Sequence, residues 1–201
     1  LGGLVFLLGL VLVIVGGAES FTGSCLIVIT WPDKRVSTVE LLRNSASVYL
    51  GNFSCSVGSA VLVYFSGTLS LGDSVVQSTA IAIAKGKTAL SFLDAFVRGI
   101  LCNVLACFAV WTSFAALHVA GKVIAIVLPV TAFVTLGFEH LVGNMHYILV
   151  AMIAGSEKVD IAESIPDLLP VTLGIIVSGV GLVAAVFRMI YLTYLAKRYS
   201  A

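Results

Sequence analysis

Glu139 and His140 stand side by side in Gly137-Phe138-Glu139-His140-Leu141-Val142-Gly143-Asn144-Met145, between two apolar arms. The upstream arm runs from Lys122 to Leu136 and is uncharged after Lys122; the downstream arm runs from Met145 to Ala154. Each arm is shorter than the ~20 apolar residues that cross a bilayer, but joined they suffice. A carboxylate and an imidazole are therefore expected near mid-membrane, where ionisable groups are costly and mark transport paths or proton relays. A second stretch, Gly16-Gly17-Ala18-Glu19-Ser20-Phe21-Thr22-Gly23, interrupts the apolar run Leu1 to Trp31 in the same way. Glu19 and Glu139 are 120 positions apart (139 − 19).

The elements that position these groups must be membrane helices. Of 201 residues, 60% are hydrophobic and 10% charged, against roughly 25% charged in a soluble domain. With a mean hydropathy of +1.13, the chain reads as an integral membrane protein. A formal net charge of +1 gives no footprint for nucleic-acid binding. Cys25, Cys55, Cys102 and Cys107 fall in apolar runs without CxxC spacing. They read as packing residues, with no disulfide framework, metal site or cofactor expected. His140 and His146 are six residues apart, which does not place them on one helix face, and no long helix offers a histidine opposite them. A haem-binding electron carrier is therefore the weaker alternative. Neither break carries Asn-Pro-Ala, as a water channel of the aquaporin type would. No set of nucleophile, base and orienter supports an enzyme.

Five membrane segments are expected: Leu1 to about Trp31, broken at Glu19; about Leu42 to Ser66; about Phe96 to Val119; Lys122 to about Ala154, broken at Glu139; and about Leu168 to Leu192. Leu69 to Asp94 is mildly apolar with scattered charges and reads as an interfacial helix, and Glu157 to Asp167 as an acidic loop. Tyr49-Leu50-Gly51-Asn52 with Ser56-Val57-Gly58 resembles Thr172-Leu173-Gly174-Ile175 with Ser178-Gly179-Val180-Gly181 at nearly the offset of the two glutamates. Two broken helices, each followed by a helix rich in small residues, predict an internal repeat around a transport site. The chain reads as one transport domain over 1–201, with half-repeats 1–66 and 95–201 and an interfacial linker at 67–94. The second half has an intact helix before its broken one and the first half does not. The chain also begins with Leu inside an apolar run, so a preceding helix is expected, giving six crossings. Lys34, Arg35, Arg43, Lys122, Arg188, Lys197 and Arg198 fall on one side, which the positive-inside rule makes cytoplasmic, C-terminus included.

The motifs Phe138-Glu139-His140 with Asn144-Met145, Gly17-Ala18-Glu19 with Phe21-Thr22-Gly23, and Gly99-Ile100-Leu101-Cys102-Asn103 followed by Cys107 and Ala109-Val110-Trp111 carry a resemblance. So do Leu128-Pro129-Val130 and Leu169-Pro170-Val171-Thr172. Over essentially its whole length the chain resembles the formate/nitrite transporter family. The resemblance implies an all-α, aquaporin-like six-helix protomer with an inverted repeat, one pore per protomer, and a homopentamer in the cell membrane. It implies passage of small monovalent weak-acid anions such as formate, nitrite, hydrosulfide, acetate or lactate, often coupled to protons. His140 resembles the central pore histidine, Thr22 the hydroxyl that faces it, and Asn103 a pore-lining amide. Phe6, Leu10, Phe21 and Phe133 match apolar constriction positions. Lys87 matches a vestibule lysine that pairs with Glu139, and by symmetry Glu19 is expected to pair with a lysine before the missing helix. Ser20 departs from the pattern, standing where a bulky apolar residue often narrows the path. Ile175 stands where an Asn commonly follows Gly.

The chemistry expected of these residues follows from desolvation. A bare anion loses its hydration in hydrocarbon at large cost, whereas a weak acid can take a proton and cross neutral. A lysine at the mouth attracts the anion. Further in, the falling dielectric favours the protonated acid, and His140 supplies a hydrogen bond or a proton midway.

Overall fold

The computed structural model describes residues 2–155 and 161–192. Every regular element among them is helical: α1 Gly2–Gly16, α2 Phe21–Thr30, α3 Thr38–Phe65, α4 Leu71–Thr88, α5 Phe92–Ala115, α6 Val119–Thr135, α7 Leu141–Ile153 and α8 Ile161–Ile176. The first turn of α2, Phe21–Ser24, is α-helical and tightens to 3-10 geometry over Cys25–Thr30. The chain beyond α8 stays helical as wide π turns, Val177–Ala184 and Arg188–Leu192, flanking an α turn at Ala185–Phe187. Three helical segments among the described residues are long and apolar enough to cross a membrane alone: Thr38–Phe65, Phe92–Ala115 and Leu168–Ile190. Phe6–Gly16 and Phe21–Thr30 qualify as a pair, bent by 53° at the break. The shorter apolar helices α6 and α7 flank the second break.

The two breaks are built alike. Gly17 ends α1 at φ 70° and Gly137 follows α6 at φ 67°, a left-handed conformation that glycine adopts without the steric cost a Cβ brings. The next amide reaches back to close the helix end: Ala18 N–H donates to Val13 O at 2.9 Å, and Phe138 N–H to Phe133 O at 3.0 Å. These are the six-to-one bonds of a Schellman end. Ser20 and His140 then adopt extended N-cap conformations before α2 and α7. The two breaks, 120 residues apart, thus share a backbone pattern as well as a sequence pattern.

Two spans start four residues earlier than expected. The second begins at Thr38 rather than Leu42, and the third at Phe92 rather than Phe96. Both starts are fixed by polar caps just outside the apolar runs. Glu40 accepts from the Ser37 N–H and hydroxyl while Ser37 Oγ accepts the Glu40 N–H, a capping box; at the other start Ser91 Oγ accepts the Asp94 N–H and its hydroxyl donates to Asp94 Oδ2. Of the expected acidic loop, residues 156–160 lie outside the described residues, whereas Ile161–Asp167 forms the first turns of α8. Once nucleated, a helix propagates through polar sequence. The expected C-terminal pair Lys197-Arg198 also lies outside the described residues.

Contacts divide the chain into two compact units. The first holds the chain up to Tyr49, Ile100–Phe138 and the chain from Ile175; the second holds Leu50–Gly99 and Glu139–Gly174. In the first, α1 packs along α6 around a core of Leu10, Cys102, Ala106, Ala109, Ile126, Val130 and Phe133. In the second, α4 packs on α7, with Ala80 beside Val150 and Ala84 beside Ile148 and Ala151. Small residues on α4 let the two helices approach closely. Apolar side chains such as Leu128, 79% exposed, and Leu12, 63% exposed, face outward, as lipid solvation permits.

Candidate functional site

In the second unit, Glu139 and His140 set a carboxylate and an imidazole next to each other just before α7. Glu139 is 3% exposed. Lys87 Nζ, near the C-terminal end of α4, donates to Glu139 Oε2 at 2.9 Å. Asn144 Nδ2 donates to the same oxygen at 2.6 Å. A buried carboxylate needs such partners, because an uncompensated charge in a low dielectric costs several kcal/mol. Asn144 Oδ1 is buried without a hydrogen-bond partner among the described residues, so an acceptor remains beside the ion pair. Sequence reasoning left Asn144 without a role. Its signal lay in its spacing, five residues after Glu139, within the first turn of α7.

His140 is the N-cap of α7, and its Nδ1 accepts the Gly143 N–H at 3.2 Å. That assignment fixes the chemistry of the ring. With Nδ1 accepting, a neutral imidazole carries its proton on Nε2 and is a donor there. Full protonation would place a hydrogen on Nδ1 and break the cap. His146, six residues further along the chain in α7, hydrogen-bonds Ser59 Oγ through Nδ1 at 2.9 Å. His118 is the N-cap of α6 and makes no side-chain cap bond.

In the first unit, Thr22 is 2% exposed, and its Oγ1 lies 2.8 Å from Ser20 Oγ. Ser24 Oγ donates to Ser20 O at 3.1 Å. Leu10, Glu19, Ser20, Thr22 and Ser24 line a cavity of about 250 Å3, together with apolar side chains that include Val110 and Phe114. Glu19 is exposed and accepts from Asn44 Nδ2 at 3.3 Å. Phe6 and Phe133 meet edge-on with ring centroids 5.7 Å apart, in the same cluster as Leu10. Phe21 meets Tyr49 edge-on at 5.3 Å.

Asn103 on α5 is completely buried. Its Nδ2 donates to Ile175 O at 2.8 Å and to Ser178 Oγ at 2.9 Å, which occupies both amide hydrogens. Cys107 Sγ bridges weakly to Asn103 Oδ1 and to Thr22 O, each at 3.7 Å. Gly179 is required beside this amide, since a Cβ there would lie 3.1 Å from Asn103 Nδ2 and 3.3 Å from Cys25 Sγ. Of the residues singled out in the sequence, the structure brings Lys87, Glu139 and His140 into one unit. It brings Phe6, Leu10, Glu19, Ser20, Phe21, Thr22, Asn103 and Phe133 into the other. Among the described residues no group of three or more His, Cys, Asp or Glu side chains could hold a metal ion.

A family model for formate/nitrite transporters matches residues 1–189. The chain belongs to the formate/nitrite transporter family. It is 35% identical to a formate channel, FocA, of Haemophilus influenzae over 196 residues, covering 89% of this chain and 69% of that one. It is 32% identical to the formate channel FocA of Escherichia coli K12, covering 95% of this chain and 73% of that one. Among solved structures it superposes on a pentameric formate channel with formate bound at a TM-score of 0.85 and 34% identity, covering 95% of this chain and 82% of that one. A second, an ion channel of the same family, gives a TM-score of 0.83 at 31% identity, covering 93% and 75%. The family, its helical membrane fold and its transport role therefore extend to this chain. The relatives it matches are named as channels and transporters.

Proposed function

We propose that this member of the formate/nitrite transporter family passes small monovalent weak acids, formate or nitrite first among them, by letting the anion take up a proton on the way. Hydrosulfide, acetate and lactate are the alternatives within the same chemistry. The observation that carries the reading is the imidazole of His140, held through Nδ1 by the Gly143 N–H, immediately after the Lys87–Glu139 ion pair. Lys87 gathers the anion: its ammonium, the positive end of the pair with Glu139, attracts a small anion and holds it loosely. His140, with its proton on Nε2, offers a hydrogen bond to a carboxylate or to the acid formed from it. Asn144 Oδ1 is an acceptor matched to the O–H of a protonated acid or to a bridging water.

In the first unit, the apolar constriction of Phe6, Leu10, Phe21 and Phe133 rejects bare ions on desolvation grounds and passes neutral acids. Ser20 and Thr22 interrupt it with hydroxyls. Asn103 is assigned to the same path, and its amide acts by holding Ile175 and Ser178 in place. Assembly as a homopentamer in the plasma membrane, with a cytoplasmic C-terminus, is proposed from the likeness to the pentameric formate channel and from the sequence's basic-residue asymmetry. The function is tested by flux into proteoliposomes, comparing formate, nitrite, hydrosulfide, acetate and lactate across a pH series. Uptake that rises as external pH falls is expected for each weak acid; uptake of none of them contradicts the reading.

A further inference from the structure

Residues 31–37 join two segments long and apolar enough to cross a bilayer, the bent pair Phe6–Gly16 and Phe21–Thr30 and the single helix Thr38–Phe65. The turn therefore sits where the hydrocarbon ends, at the depth of the lipid headgroups. It is tied down by its own backbone and side chains. Lys34 N–H donates to Trp31 O at 3.0 Å and Arg35 N–H to Thr30 O at 3.4 Å. Trp31 Nε1 donates to Thr38 Oγ1 at 3.0 Å. Lys34 takes a left-handed conformation, φ 54°, and it and Arg35, though adjacent, both border one cavity of about 590 Å3. Trp31, Pro32, Ser37 and Glu40 complete much of its wall.

The charges around this turn do not cancel. Asp33 is taken by Arg188. Glu40 is held by the Ser37 N–H and hydroxyl, and Arg43, three residues further along α3, offsets its charge. Arg35 acts on Asp33 only at longer range. Lys34 and Arg35 make no ion pair and no side-chain hydrogen bond among the described residues. Four basic groups (Lys34, Arg35, Arg43 and Arg188) against two acidic ones (Asp33 and Glu40) leave a charge of +2 (4 − 2), carried by the two cations that face the cavity. Beside them Trp31 spends its N–H on Thr38 and stays 46% exposed. An indole at headgroup depth anchors by its apolar face. A soluble anion would engage the cations and leave that ring in water. A phospholipid engages both, because it presents a phosphate next to glycerol and acyl carbons at this depth.

We propose that this turn binds one anionic phospholipid of the adjoining leaflet, its phosphate between Lys34 and Arg35 and its glycerol and upper chain against Trp31. A zwitterionic lipid brings its own cation to the same place and gains less from the two basic groups. The cavity shares no lining residue with the one at Thr22, so the proposal does not depend on which acid the protein passes.

The chain has two tryptophans, so Trp111→Phe leaves Trp31 as the only one and its fluorescence reports on the site. The protein is reconstituted in phosphatidylcholine bilayers with rising fractions of brominated phosphatidylglycerol or, for comparison, brominated phosphatidylcholine. Quenching of Trp31 is expected to reach half its maximum at a much lower fraction of the anionic lipid. Lys34→Gln and Arg35→Gln are each expected to raise that midpoint about fivefold, the effect of one basic group at the surface. Lys122→Gln, which removes a basic residue outside the cavity, is expected to leave it unchanged. Inorganic phosphate, set against chloride at equal ionic strength, is expected not to move it. Equal quenching by the two lipids overturns the proposal, as do equal shifts in all three variants, which would mean diffuse surface attraction. Displacement by phosphate would overturn it too, assigning the cavity to a soluble anion. Native mass spectrometry of the unsubstituted protein checks the same point independently of Trp111→Phe. Phosphatidylglycerol is expected to stay bound in preference to phosphatidylcholine and to be lost when Lys34→Gln and Arg35→Gln are combined; no such preference overturns the proposal.

Discussion

Lys87 and Asn144 both bond one oxygen of a carboxylate that is 3% exposed. Removing Lys87 alone leaves Glu139 buried with a single neutral donor. Breaking a buried pair from one side costs about 3–5 kcal/mol. Lys87→Ala is therefore expected to lower the unfolding temperature in detergent, and Lys87→Ala with Glu139→Gln to recover most of the loss. Under the proposed function, the single variant also loses uptake mainly at low substrate concentration, where capture limits the rate; an unchanged concentration dependence counts against Lys87 as the gathering charge. For His140, truncation to Ala forfeits the Gly143 cap, about 1 kcal/mol, which is small beside the change expected in selectivity between neutral acids and anions. These residues were legible because each is a polar group isolated in an apolar run. Asn144, Ser178 and Asn44 were not, since their roles depend on partners that only folding identifies: Glu139, Asn103 and Glu19.

The repeated helix ends make their own prediction. Gly17 and Gly137 sit at nearly the same positive φ and close the same kind of helix end. An L side chain in that conformation costs roughly 1–2 kcal/mol. Gly17→Ala and Gly137→Ala are each expected to destabilise by about that amount in thermal unfolding; a large effect at one and none at the other would break the equivalence of the two ends. Both breaks could be read from sequence, because glycine followed by a glutamate inside an apolar run is a local signal. The π turns of the last helix could not be read. They begin two residues after Ile175, whose carbonyl accepts from Asn103, 72 positions away. A side chain inserted into a helical ladder is a recognised cause of such distortion, and nothing local announces it.

Asp33, in the turn between α2 and α3, receives a bidentate pair from Arg188 at 2.8 and 3.0 Å. The hydrogen bond holds its carboxyl below the ordinary value. A carboxyl whose folded value is lowered stabilises above its unfolded value, near 3.9, and that contribution disappears as pH falls through the folded value. The unfolding temperatures of the native protein and Arg188→Gln should therefore differ modestly at neutral pH, the pair being exposed, and converge in strong acid. A gap that persists there would place the role of Arg188 in its bond to Ile29 O.

At the scale of the whole molecule, composition alone required a membrane, since 10% charged residues cannot coat a water-soluble surface. Outward-facing leucines such as Leu128 agree with that solvent. The number of subunits is a different matter. Small residues on helix faces permit close packing but do not choose a symmetry, so five rests on the likeness to a pentameric channel. Native mass spectrometry of the detergent-solubilised protein is expected to give a pentamer, and a stable monomer or tetramer would contradict that assignment.

The central claim is that protonation lets a weak acid cross where a fixed charge does not. Its most direct measurement is uptake of formate against uptake of chloride in the same proteoliposomes at two external pH values. The account predicts formate uptake that rises at the lower pH, with chloride slow at both. Equal transport of the two ions, independent of pH, would contradict it.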